Sequence, residues 1–312
     1  MQGHYHEGDS LLSLYGNQQV ANSRDVQFYH ELVKLESICL RGDINESHFS
    51  LADSLSRFYN NDRSSDKHAK CLFFLGCIYH VSDDYPSALN CYLKASKLAE
   101  ECNDTYLSCL LNREMGDIYF RQRMLNECIP YYKSYYNIAV ANHDTLRMSL
   151  ASSSMGRVYT ILNDADSTIA YYKKTISLAE TLPQKDELIP LAQYRLCDIY
   201  IQTEEYDSAL AIMPRDTLND ENWAYWHYGQ HHVDSAIYHF RQMLGKYSWQ
   251  AEVETLKLLA ELEMEKGNTD EAIGYFIALQ QAEDSLKSSS QSVPTFHCTG
   301  ASNGISPCGA LT

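Results

Sequence analysis

The chain has 312 residues, with 41 Asp and Glu against 25 Lys and Arg and a formal net charge of −16. That surplus repels phosphate backbones, so nucleic acid is excluded as the expected partner and a protein or peptide with a basic face suits it better. No apolar run is long enough to span a membrane, and residues 1–24 lack the basic start and long apolar block of a signal peptide.

Residues 1–25 read as a polar leader with one short apolar cluster at Leu11, Leu12 and Leu14. From Val26 an amphipathic helix is expected, with Phe28, Leu32, Leu35 and Cys39 on one stripe and a stop at Arg41-Gly42-Asp43. A second helix, roughly Glu46 to Tyr59, pairs with it, so 26–66 form a degenerate hairpin of the kind that caps a repeat array.

Regular units begin near Lys67. The stretch Leu75-Gly76-Cys77-Ile78-Tyr79 returns as Met115-Gly116-Asp117-Ile118-Tyr119 and as Met155-Gly156-Arg157-Val158-Tyr159, so the glycines fall 40 residues apart. A fourth copy, Leu196-Cys197-Asp198-Ile199-Tyr200, follows after 41 residues with Cys197 in place of glycine. A fixed period in this range marks a repeat architecture. In the first unit a helix carrying Leu72, Leu75, Ile78 and Tyr79 breaks at Ser82-Asp83-Asp84, and a second restarts at Tyr85-Pro86-Ser87 with Asp84 as its N-cap. Twelve and sixteen residues after each glycine or its substitute stand Ala88 and Tyr92, Cys128 and Tyr132, Thr168 and Tyr172, and Ala209 and Met213. Glycine inside a helix costs up to about 1 kcal/mol relative to alanine, so close packing must offset it. The expectation is that each glycine faces the small residue at +12, with the ring at +16 beside them.

These residues resemble the tetratricopeptide repeat family, whose Leu-Gly-x-x-Tyr on one helix and Ala, aromatic and Ala on the next are matched by Leu75, Gly76, Tyr79, Ala88, Tyr92 and Ala95. The resemblance covers residues 67–213 well and 26–66 and 220–286 more loosely. It implies an all-α, right-handed superhelical solenoid of antiparallel helix hairpins. The family's usual period is shorter, so this spacing resembles the long-repeat subgroup found in bacterial regulators and signalling adaptors. At +19 the small residue gives way to Tyr135 and Thr175, a departure from the family pattern.

Residues 214–287 read as irregular units of the same kind. Pro214 ends a shortened second helix, and Asn219 to His232 is a shortened, highly aromatic first helix and the expected place for the superhelix to bend. A last unit ends at Lys266-Gly267-Asn268 and restarts through a capping box, Asn268-x-x-Glu271. Residues 288–312 contain no Asp, Glu, Lys or Arg and are expected to be disordered or a non-native ending, with the helix near Lys287 continuing into something longer in a complete relative.

The search for chemistry returns little. Gly300-Ala301-Ser302-Asn303-Gly304 matches G-x-S-x-G but lacks the strand, helix, histidine and acid of a nucleophile elbow. His227, His231, His232 and His239 are crowded, yet no H-E-x-x-H or acidic partner completes a metal set. No C-x-x-C pair and no phosphate-binding loop occurs, so neither metal nor cofactor is expected. Cys71, Cys77, Cys91, Cys128 and Cys197 sit where small apolar core residues belong, which leans toward a reducing, cytoplasmic compartment.

Function is therefore sought on the surface that stacking creates. By the resemblance, first helices line a concave groove, which at helical spacing would present Phe73, Cys77 and His80, then Arg113, Asp117 and Phe120, then Ser153, Arg157 and Thr160, then Tyr194, Asp198 and Ile201. The two-carboxylate clamp of chaperone-binding members is not matched. The reading is a non-enzymatic protein- or peptide-binding scaffold, the sensory or interaction part of a bacterial regulator. Its alternatives are a signalling-peptide receptor whose superhelix pitch changes on binding, and a hydrolase or metal-dependent enzyme near Trp223–His239.

Overall fold

A computed structural model describes residues 24–61, 65–213, 220–246 and 248–291, and every described element is helical. Residues 1–23 of the polar leader, the residues from 292 onward and the G-x-S-x-G match lie outside the described residues. The chain divides into two compact units, Met1–Pro214 and Arg215–Thr312.

In the first unit α1 (Arg24–Arg41) is followed by a 3-10 turn at Glu46–His48 and α2 (Phe49–Asn61). Then come α3 (Ser65–Val81), α4 (Tyr85–Glu101), α5 (Thr105–Arg121), α6 (Leu125–Ala141), α7 (Thr145–Ile161), α8 (Ala165–Ala179), α9 (Lys185–Gln202) and α10 (Tyr206–Ile212). Helices α3 to α7 are each 17 residues long. Helices this long, joined by three-residue links and packed along their length on their sequence neighbours, must run antiparallel, which makes this unit an α-solenoid of hairpins.

The links from α3 through α8 share one backbone solution. Asp83, Asn103, Arg123, His143 and Asn163 all have φ between 53° and 61°. The amide of the next residue returns to a carbonyl at the end of the preceding helix: Asp84 to Tyr79 at 2.9 Å, Asp104 to Ala99 at 2.8 Å, Met124 to Tyr119 at 2.9 Å, Asp144 to Ala139 at 2.9 Å and Asp164 to Tyr159 at 3.0 Å. This is a Schellman closure, and it satisfies carbonyls that a helix end would otherwise leave bare. The same residue then starts the next helix. The side chains of Asp84, Asp104, Asp144 and Asp164 each accept from an amide three residues on, at 2.9 to 3.2 Å. Met124, which opens α6, makes no such bond.

The predicted packing positions are buried. Ala88, Cys128, Thr168 and Ala209 are all 0% exposed, and Tyr92, Tyr132 and Tyr172 at most 1%. One expectation is corrected: the glycines face the rings at +16, not the small residues at +12. A Cβ at Gly76 would lie 2.3 Å from Tyr92 Cε1, one at Gly116 2.7 Å from Tyr132 Cε1, and one at Gly156 2.9 Å from Tyr172 Cζ. Close approach here is between backbone and aromatic face, so the absent side chain is the seat of the ring. The large Tyr135 at +19 is also buried, against Cys109 and Ala151, whose small size makes room for it.

The second unit holds α11 (Asp220–Gly229), α12 (Val233–Met243), α13 (Trp249–Lys266) and α14 (Thr269–Gln291). Its core is Ala224, Ala236, Ile237, Phe240, Met243, Leu259 and Leu262. The short aromatic first helix is present as α11, at 10 residues. The capping box at Asn268 is not: Asn268 Nδ2 donates to Glu263 at 2.7 Å and Glu271 bonds Arg241 instead. Glu263 is 1% exposed, and that buried carboxylate draws both groups toward itself. Helix α14 also continues to Gln291, past the expected boundary at 288.

Two predictions follow from this packing. Gly76→Ala and Gly116→Ala should lower the thermal midpoint, the first more than the second, because displacing a buried ring costs about 1–3 kcal/mol and outweighs the helix-propensity gain of about 1 kcal/mol. Gly274→Ala, with nothing within 4 Å of its added methyl, should raise it. Met124→Asp should stabilise the protein by about 1 kcal/mol in urea unfolding, by supplying the cap that the other links already have.

Candidate functional site

In the first two units the residue after the glycine accepts from the hydroxyl of the ring seated on it. Tyr92 Oη donates to Cys77 Sγ at 3.5 Å and Tyr132 Oη to Asp117 Oδ1 at 2.6 Å. In the third unit the equivalent residue is Arg157, which has donors only. Among the described residues the Tyr172 hydroxyl, buried and 1% exposed, has no partner in full hydrogen-bond geometry, and its polar neighbour is the Thr160 hydroxyl. The Thr160 hydroxyl donates to the Gly156 carbonyl at 2.9 Å, so towards Tyr172 it can only accept.

Tyr172 lines a cavity of about 590 Å³. Asp117, Phe120 and Arg121 reach it from α5, Arg123 from the following link, Arg157, Thr160 and Ile161 from α7, Tyr172 from α8 and Arg195 from α9. Arg157 lies 4.4 Å from the Phe120 ring centroid, an orientation that leaves its planar edge for hydrogen bonding. Arg195 is set over Tyr194 at 5.4 Å. Among the described residues, none of these four guanidiniums lies within 4.0 Å of a carboxylate, in contrast to Arg113 and Arg147, which are ion-paired. Burial pushes the Asp117 carboxyl up against the hydrogen bond from Tyr132, and burial likewise raises Tyr172, so the latter stays a protonated donor at neutral pH.

The cavity brings together Asp117, Phe120, Arg157 and Thr160 of the expected groove set. Phe73 and Cys77 are corrected: they are buried, Phe73 against Phe74 and Tyr92, and Cys77 between Tyr92 and Cys39. The first unit's residues at these offsets are apolar and thus close over the core. Ser153, Tyr194 and Asp198 are half-buried on α7 and α9, outside the cavity lining. His80 and Arg113 belong to a separate network: Glu114 lies 3.2 Å from His80 Nδ1 and 3.0 Å from Arg113 Nε. Burial alone would raise the Glu114 carboxyl, but the His80 hydrogen bond and the Arg113 charge outweigh it and hold it at about 2. Sequence reasoning missed Arg121, Arg123, Tyr172 and Arg195. Asking which side chain each +16 hydroxyl would meet could have found Tyr172.

In the second unit Trp223, His227 and His239 stack face to face, with Trp223–His227 at 5.7 Å and His227–His239 at 5.6 Å between centroids. His239 Nδ1 meets Asp220 at 3.1 Å, and Lys246 shares that carboxylate at 3.2 Å. Among the described residues no three His, Cys, Asp or Glu are arranged to hold a metal ion. No described helix is long and apolar enough to cross a membrane.

The sequence matches no model of a known protein family and no curated protein. Solved structures are similar in fold. A signal-transduction ATPase with numerous domains from Pyrococcus horikoshii, which carries a tetratricopeptide repeat sensor, aligns at TM-score 0.65 and 15% identity over 85% of this chain and 44% of that one. This chain therefore spans less than half the length of that protein. The apo form of RapI aligns at TM-score 0.56 and 11% identity, covering 84% of this chain and 99% of that one. NprR in complex with its cognate peptide NprX aligns at TM-score 0.51 and 13% identity, over 92% and 74%. Hairpins locked by a ring on a glycine define the chain as an α-solenoid. Its fold is of the tetratricopeptide repeat type.

A pH prediction attaches to Glu114. Because folding lowers its carboxyl from 4.5 to about 2, its stabilisation is complete above pH 4.5 and is lost as pH falls from there toward 2. Glu114→Gln should cost on the order of 1–3 kcal/mol at pH 7 and flatten the decline of the urea midpoint across that window.

Proposed function

We propose that the chain is a non-enzymatic interaction scaffold that holds a peptide segment of a partner along the first helices of its repeats. The observation that carries this reading is the open cavity shared by α5, α7 and α9, where Phe120 offers an aromatic contact and unpaired guanidiniums offer directional donors. A chain of net charge −16 keeps these arginines out of ion pairs at one place, which suits an anionic or polar ligand. The fold likeness to NprR, whose structure contains its cognate peptide, and to a repeat sensor supports a role as the sensing or interaction part of a regulator. Asp117, Phe120, Arg157 and Arg195 are the residues proposed to contact the ligand.

Selection of a displayed random peptide library on the full chain tests the reading. Peptides should be enriched, and Arg157→Glu with Arg195→Glu should weaken their binding by about tenfold or more, while Lys97→Glu with Lys133→Glu on exposed positions of α4 and α6 should leave it unchanged. Equal loss in both double variants, or enrichment of no peptide, rejects the groove.

A further inference from the structure

The cavity beside Tyr172 is built for a compact anion. In the two preceding repeats the ring hydroxyl finds an acceptor on the first helix, and here it finds a guanidinium. A buried hydroxyl without an acceptor in full hydrogen-bond geometry is destabilising, and so are several like charges lining one cavity; both are relieved by an oxyanion that accepts from Tyr172, Arg157 and Arg195 together. Of the other two arginines, Arg121 lies against the Tyr85 hydroxyl, and Arg123 is held at the cavity by its left-handed link.

We infer that this cavity is the binding site for a phosphoryl group, carried by a phosphorylated side chain of the peptide partner, with Tyr172, Arg157 and Arg195 as its donors. The inference rests on the groove reading above and names what that groove selects. Four guanidiniums face a single carboxylate, Asp117, across the lining. A carboxylate ligand brings one negative charge, whereas a phosphate monoester brings nearly two and three acceptor oxygens, which matches the donors better. Asp117 accepts the hydrogen bond from Tyr132 at 2.6 Å and forms one wall of the site.

The test titrates the full chain, in a buffer free of oxyanions, with inorganic phosphate and with acetate, followed by calorimetry. Phosphate should bind saturably below about 10 mM and at least about tenfold more tightly than acetate. Arg157→Gln should weaken phosphate about tenfold or more. Tyr172→Phe should weaken it severalfold and at the same time raise the melting temperature of the anion-free protein, because the unsatisfied hydroxyl is gone. That opposite pair of shifts separates a ligand-contacting hydroxyl from a merely structural one. Absence of saturable phosphate binding, equal affinity for acetate, or a Tyr172→Phe variant that binds phosphate as the parent does would each overturn the assignment. Peptides selected in a groove-dependent way without any phosphate binding would sink this inference and spare the scaffold reading; phosphate binding without selected peptides would sink both the scaffold reading and the peptide as carrier of the phosphoryl group.

Discussion

The solenoid depends on a ring laid on a backbone. At Gly76, Gly116 and Gly156 the helix surface lacks a Cβ, and Tyr92, Tyr132 and Tyr172 press into the gap. The pairing joins the two helices of one hairpin at fixed depth and rotation, since a planar ring tolerates little displacement once it is fully enclosed. The enclosed ring also carries a hydroxyl to the edge of the core, where the residue after the glycine must deal with it. Packing and polar chemistry are thereby coupled at one offset. The identity of a single first-helix residue, Cys77, Asp117 or Arg157, decides whether the hydroxyl is absorbed internally or left for something else.

Much of this was legible in the sequence. The 40-residue spacing of Gly76, Gly116 and Gly156, the offsets to Tyr92 and Tyr132, and the Asp84 cap all read directly, because they are short-range rules repeated until chance is excluded. What did not read was partner choice among neighbours. The glycine was expected to oppose the small residue at +12, which periodicity alone cannot distinguish from the ring at +16. Asn268 and Glu271 have the spacing of a capping box, yet a buried Glu263 recruits Asn268 and, through Arg241, Glu271.

The candidate site was legible only in part. Asp117, Phe120, Arg157 and Thr160 were within reach of helical spacing, since all four project from first helices. Phe73 and Cys77 occupy equivalent offsets but are enclosed, because Cys39 of α1 and the Tyr92 ring cover them. Burial of a first-helix stripe depends on what precedes it in the array, which spacing within one unit does not encode. Tyr172 and Arg195 were overlooked for the converse reason: one has the signature of a core ring and the other stands one residue off the sampled stripe.

The links add a consequence of their own. Left-handed residues recur at 83, 103, 123, 143 and 163, every 20 residues, so the turn inside a hairpin and the turn between hairpins are the same object. The main chain alone therefore cannot distinguish a first helix from a second. The array's phase is written only in side chains, in which helix carries glycine and which carries the ring. A duplication or loss of half a unit would pass through the turns without strain, yet it would set bare glycine backbone where a ring is due, and the error would surface as an internal void and not as a broken loop.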